Sequence, residues 1–137
     1  LGERKFPLVI QNIHRYFLYL ALGFICLLTW DAIHGYRFTD PATGKTSFGI
    51  GVGSLVLTVN VILLGGYTFG CHSFRHLIGG RKDCMSSSKM TMNCYSCVSG
   101  LNRKHMLFAW MSLFWVGFSD VYVRLCSMGI WTDWKIL

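Results

Sequence analysis

Charge is scarce in this sequence. Only 14% of its 137 residues are Asp, Glu, Lys or Arg, against roughly a quarter in an ordinary soluble domain. Acids are scarcer still, six against 13 Lys and Arg, which leaves a net charge of +7. The body is 53% hydrophobic with a mean hydropathy of +0.43. Such a chain lacks the polar surface over which a nucleic-acid binder spreads its cations, so nucleic acid is excluded as a partner. Disorder is excluded too, because aromatics are abundant and polar residues few. No HExxH and no nucleophile–base motif is present, so the chain does not read as an enzyme in its own right. Repeats and low-complexity tracts are also absent. The first residue is Leu1, with no initiator Met, so residues upstream are expected.

What is present is length without charge. Residues 16–33, YFLYLALGFICLLTWDAI, carry one acid, Asp31. Residues 48–70, FGIGVGSLVLTVNVILLGGYTFG, carry none. Residues 106–128, MLFAWMSLFWVGFSDVYVRLCSM, carry Asp120 and Arg124. A hydrocarbon core of about 30 Å is crossed by about 20 helical residues. Three such stretches leave too little polar sequence to cover them as core helices of a soluble protein. The fold class is therefore all-α, one integral membrane domain over residues 1–137 with three transmembrane helices. The first stretch follows Arg4, Lys5 and Arg15 like a signal peptide, but no small-residue cleavage site follows it, so it reads as a retained helix.

Three spans put the N-terminus and the 71–105 loop on one side, and the 34–47 loop and C-terminus on the other. The first side holds Arg4, Lys5, Arg15, Arg75, Arg81, Lys82, Lys89, Arg103 and Lys104; the second holds Arg37, Lys45 and Lys135. The positive-inside rule makes the first side cytoplasmic, and Trp30, Trp131 and Trp134 then fall at the outer interface. Residues 79–102, rich in Gly, Ser and Cys, read as a linker.

The cytoplasmic loop concentrates metal-competent side chains: Cys71, His72, His76, Cys84, Cys94, Cys97 and His105 lie within 35 residues. Disulfides do not persist on that side. Thiolate and imidazole suit zinc or an iron–sulfur centre. Cys94 and Cys97 form a single CxxC, a weaker signal than the paired motifs of most zinc sites. His72 and His76 share a face if the second helix continues past Cys71. Two Cys and two His match the composition of a Rieske-type [2Fe–2S] site, although the usual C-x-H and C-x-x-H boxes are absent. The competing reading is unligated loop thiols with interfacial histidines. Haem b needs two His from different helices at similar depth. His14, His72, His76 and His105 lie near helix ends on the basic side, whereas His34 is about 30 Å from His14 along the first helix. Cys26 and Cys126 lie within spans as small apolar packers.

Asp120 and Arg124 are spaced i, i+4, acid first, the favourable order for a helical pair. They lie about 22 Å and 28 Å along the third helix from His105, near the outer interface. One reading is an interfacial structural pair. The other is a polar pocket for a quinone or a proton path, with Tyr122 and Asp31 as candidate members. Gly49, Gly51 and Gly53 precede no Lys and follow no strand, so they read as close helix packing rather than a phosphate loop.

The strings CHSFRHLIGGRKD and VSGLNRKHMLFAWMSLFWVGFSDVYVRL resemble the C-terminal half of the membrane-anchor subunit of bacterial succinate dehydrogenase/fumarate reductase, of the type with one fused five-helix anchor. The resemblance is carried by Cys71, His72, Arg75 and His76, by Gly79, Gly80 and Arg81, by Leu101, Asn102, His105, Met106, Ala109 and Trp110, and by Asp120 and Tyr122. Phe74, Cys84, Cys94 and Cys97 depart from its pattern and leave the ligand set open. The resemblance implies two further helices upstream, a flavoprotein and an iron–sulfur subunit docked on the cytoplasmic face of a bacterial plasma membrane, and electron transfer from succinate to a membrane quinone. It also implies a non-catalytic subunit holding a Rieske-like cluster or haem b. Cys71, His76 and His105 are the first candidate ligands, with His72, Cys94, Cys97 and Cys84 as alternates. Candidate cofactor and quinone contacts are His14, Arg75, Trp110 and Ser112. The alternatives from other classes are a zinc-binding membrane adaptor and a small transporter subunit using Asp120 and Arg124.

Overall fold

The computed structural model describes residues 6, 8–39, 44–79 and 89–136; the side chains of residues 8–12 and 14 lie outside the description. Helix α1 runs Leu8–His34. The short strands β1 (Arg37–Thr39) and β2 (Thr46–Phe48) follow, then α2 (Val52–Phe69), α3 (His72–Gly79), α4 (Lys89–Arg103) and α5 (His105–Ser127). Three segments are long and apolar enough to cross a bilayer: Arg15–His34, Val52–Phe69 and His105–Ser127. They coincide with the three expected spans within a few residues. The second starts later than expected, because Phe48 pairs with Arg37 in an antiparallel hairpin and residues 49–51 stay extended.

Burial runs opposite to that of a water-soluble domain. Trp30, Leu113, Phe114 and Phe24 point outward, each more than 60% exposed, while Ser54, Asn60, Thr68, Ser112 and Ser119 are buried. In a bilayer, apolar side chains gain nothing by leaving lipid, so helices associate through small and polar residues that let backbones approach. α2 supplies that surface and packs against both α1 and α5. Among the described side chains of α1 the buried ones are Leu18, Ile25 and Ala32, seven residues apart and therefore on one stripe. On α5 the Phe108 ring rests on Gly66, where a Cβ would come within 2.6 Å of it. The Trp115 indole nitrogen donates to the Val56 carbonyl at 3.0 Å. These two contacts fix α2 and α5 antiparallel, with Asn60 level with Ser112 and Thr68 level with His105.

The segment expected as a linker, 79–102, contains the helix α4. Its Gly/Ser/Cys composition hid a core-facing set, with Val98 buried and Tyr95, Leu101 and Asn102 half-buried. Tertiary packing on α3 and α2 overrides weak intrinsic propensity.

Candidate functional site

The basic end is built around the break between α2 and α3. Gly70 ends α2 where no side chain fits: a Cβ there would lie 2.8 Å from the Gly66 carbonyl oxygen and 3.1 Å from that of Leu101. The Asn102 side-chain amide donates to the Gly70 carbonyl at 2.8 Å, joining α4 to the break. The Arg75 guanidinium donates twice to the Tyr95 hydroxyl, at 2.9 and 2.7 Å, which locks α3 onto α4. α2 does not continue past Cys71, yet α3 keeps the i, i+4 relation of His72 and His76, whose rings lie 4.4 Å apart. His105 stacks on Tyr67 at 4.6 Å. Its Nδ1 and the Thr68 hydroxyl are both buried without a hydrogen-bond partner. Buried polar atoms are nearly always paired; among the described residues Asn60 Oδ1 and the Ser99 hydroxyl share this unpaired state.

Two cavities open at the basic end. One, of about 170 Å³, lies between α1 and α2 and is lined by Phe17, Leu18, Ala21, Tyr67, Thr68 and Cys71. The other, of about 160 Å³, lies between α1 and α3 and is lined by Arg15, Leu18, Tyr19, Ser73, His76 and Leu77. Both are bordered by Leu18 and lie next to each other along α1; this cleft region is apolar at Phe17, Leu18 and Ala21 and polar at Arg15, Thr68, Ser73 and His76.

The opposite end is closed by the C-terminal segment. Residues 134–136 pair with 50–52: Val52 N–H donates to the Trp134 carbonyl at 3.0 Å and Ile136 N–H to that of Ile50 at 2.7 Å. Asp133 accepts from Gly53 N–H and from the Tyr122 hydroxyl, both at 2.9 Å. Its carboxylate thus caps the first turn of α2, where the helix dipole favours a negative charge. A cavity of about 380 Å³ lies here, lined by Val52, Tyr122, Ile130, Trp131, Thr132 and Trp134.

A family model for the actinobacterial succinate dehydrogenase subunit SdhC matches residues 1–129. The chain belongs to this family. Among solved structures, a chain described as "Mycobacterium smegmatis Sdh1 complex in the apo form" is similar, with 42% identity and a TM-score of 0.83 over 100% of this chain. The match covers 50% of that chain, so the present sequence spans half its length. A search of the curated proteins found no match. Membership in the SdhC family agrees with the resemblance drawn from the 71–76 and 101–122 motifs. Three of the chain's helices are long and apolar enough to cross a membrane.

Against that identity, the sequence-derived site residues fall in several places. His76 and Cys71 each line part of the cleft, and His105 stacks beside it. Arg75 is held by Tyr95. Trp110 points outward from α5 and stacks on Phe114, and the buried Ser112 hydroxyl donates to the Ala109 carbonyl. Cys94 and Cys97 are exposed free thiols on α4. Cys84 and the His14 side chain lie outside the described residues. Among the described residues no three His, Cys, Asp or Glu side chains converge on one point. They do not by themselves assemble a four-ligand shell.

Sequence reasoning missed Tyr67, Thr68 and Ser73, which are silent as motifs and emerge only from helix packing. It also missed Asp133. Gly51 and Gly53 do serve close approach, but of a carboxylate rather than a helix: a Cβ on either would lie 3.0 Å from Asp133 Oδ2. Asp120 and Arg124 do pair, at 2.9 Å, with side chains 61% and 70% exposed. Tyr122 turns to Asp133, and no hydrogen bond or ion pair among the described residues links Asp31 to the Asp120–Arg124 pair.

Proposed function

We propose that this chain anchors a succinate:quinone oxidoreductase in a bacterial plasma membrane. It would hold the flavoprotein and iron–sulfur subunits at its basic end and pass their electrons to a membrane quinone. The cleft between α1, α2 and α3 carries this reading. A quinone needs an apolar lane for its isoprenoid tail and hydrogen-bond donors for two carbonyl oxygens. Phe17, Leu18 and Ala21 form the lane. Arg15, Ser73, His76 and the Thr68 hydroxyl supply the polar end. The Thr68 oxygen has no partner to give up, so a carbonyl oxygen entering there gains a hydrogen bond without breaking one. Reduction to the quinol takes two electrons and two protons, and His76 in the cleft wall is placed to relay a proton.

Orientation follows from the cations. Arg15, Arg75, Lys89, Arg103 and Lys104 at the cleft end, against Arg37, Lys45 and Lys135 at the other, support a cytoplasmic cleft. A redox group on the anchor belongs to the same reading, either a Rieske-like [2Fe–2S] cluster or haem b. When bound it would supply one-electron steps between the docked subunits and the quinone. The orphaned Nδ1 of His105 supports that residue as a first ligand. Cys71 and His76 come next, then His72, Cys84, Cys94 and Cys97, with His14 as the partner for haem.

The test is reconstitution of the anchor with its soluble subunits in proteoliposomes. Succinate-dependent quinone reduction is expected, and its absence with a correctly assembled complex overturns the reading. Iron with acid-labile sulfide marks a cluster and a Soret band marks haem. Zinc alone returns the adaptor alternative.

A further inference from the structure

Resting on the reading of the cleft as a quinone site, we infer that Tyr95 and Asn102 on α4 are positioning residues for that site. The polar groups of the cleft come from two sides of a break in the chain. Thr68 and Cys71 stand at the end of α2, and Ser73 and His76 stand on α3. A quinone carries its two carbonyl oxygens on opposite sides of one rigid ring, so groups that meet both must hold a fixed spacing. Between them lie Gly70 and Cys71, which belong to neither helix. Two such residues leave the angle between α2 and α3 to whatever braces it from outside.

α4 is that brace. Tyr95, Val98 and Asn102 recur at helical spacing and form its inward stripe, with Val98 buried and the other two half-buried. The Tyr95 hydroxyl accepts from Arg75 Nε at 2.9 Å and from Nη2 at 2.7 Å, and the guanidinium carbon lies 5.1 Å from the centre of its ring. These charge-assisted bonds fix α3. Two turns further along the stripe, the Asn102 amide donates to the Gly70 carbonyl at 2.8 Å and fixes the end of α2. A Cβ on Gly70 would lie 3.1 Å from the Leu101 carbonyl oxygen, so the break and α4 are in close backbone contact and a shift of one displaces the other. Neither Tyr95 nor Asn102 lines a cavity of the cleft. They act on it through Arg75 and Gly70, the sequence neighbours of His76 and Cys71.

Two substitutions test this in the full chain, assembled with its soluble subunits in proteoliposomes. Tyr95→Phe removes the acceptor and keeps the ring, and Asn102→Leu removes the donor at nearly the same volume. KM for quinone is expected to rise about fivefold or more in each, with a smaller fall in kcat, because misplaced ground-state hydrogen bonds weaken binding first. Retention of the soluble subunits is expected to match the unsubstituted chain. So is succinate oxidation by a water-soluble dye, which reads those subunits alone. If Asn102→Leu fails to insert, Tyr95→Phe decides the matter. An unchanged KM in one inserted variant removes that residue from the role. An unchanged KM in both, whatever happens to Tm, overturns the inference and leaves the stripe as a support of the fold alone. Loss of quinone reduction that is accounted for by loss of the soluble subunits overturns it as well. Absence of quinone reduction by the unsubstituted, correctly assembled complex overturns the quinone reading and this inference together.

Discussion

Asp133 binds the backbone nitrogen of Gly53 at 2.9 Å across eighty positions of sequence. The same carboxylate oxygen accepts from Tyr122 on α5. One side chain therefore ties the C-terminal segment, the start of α2 and the end of α5 together. Without it the first turn of α2 would lose the acceptor for a free N–H group at a membrane boundary.

Replacing Asp133 with Ala removes a helix cap and a buried hydroxyl's partner together. Caps contribute about 1 kcal/mol, and an unsatisfied buried hydroxyl costs about 1–3 kcal/mol. Thermal unfolding in detergent is expected to show a lower Tm for Asp133→Ala than for Asp133→Asn, which keeps one acceptor oxygen. Equal Tm values for the two variants and the unsubstituted chain would show that the tie contributes nothing.

Gly66 admits the Phe108 ring only because it has no Cβ. Gly66→Leu forces the ring or the helix to move, an overpacking cost of about 1–3 kcal/mol. Phe108→Ala in the same chain is expected to recover part of that loss, because it removes the obstructing ring. A double-mutant cycle on unfolding free energies checks the coupling.

The indole of Trp115 donates across the helix interface to the Val56 carbonyl. That oxygen already belongs to α2, and inter-helix hydrogen bonds in membranes average only about 0.6 kcal/mol. Trp115→Phe is therefore expected to cost about that much, well below the Gly66 substitution. A loss comparable to Gly66→Leu would mean that the indole's packing, not its N–H, is the main contribution.

Thr68 separates binding from stability. Its hydroxyl is buried without a partner, so Thr68→Val removes an unsatisfied group and is expected to leave Tm unchanged or slightly raised. If the cleft holds quinone, the same variant should raise KM for quinone severalfold with kcat altered little, since a ground-state hydrogen bond is lost. An unchanged KM would remove Thr68 from the quinone site.

Much of the architecture is legible from composition along the chain. A bilayer demands about 20 apolar residues in a row, and that demand is local, so three spans and a basic end can be counted without knowing what touches what. The motif around Cys71–His76 and Leu101–Trp110 likewise points to the family, because the residues that carry it are near neighbours in sequence. What the tertiary structure decided are the contacts between distant segments. The Gly/Ser/Cys-rich stretch becomes α4 because its Tyr95 meets Arg75 of α3 and its Val98 is buried against the neighbouring helices. The glycines before α2 receive a carboxylate from the C-terminal segment. Thr68 and Tyr67 come level with His105 only through the antiparallel register set at Gly66 and Val56. In a membrane the buried surface is made of small and polar residues whose sequence pattern differs little from that of any apolar run. The sequence therefore shows where the helices are, and only their packing shows which faces meet.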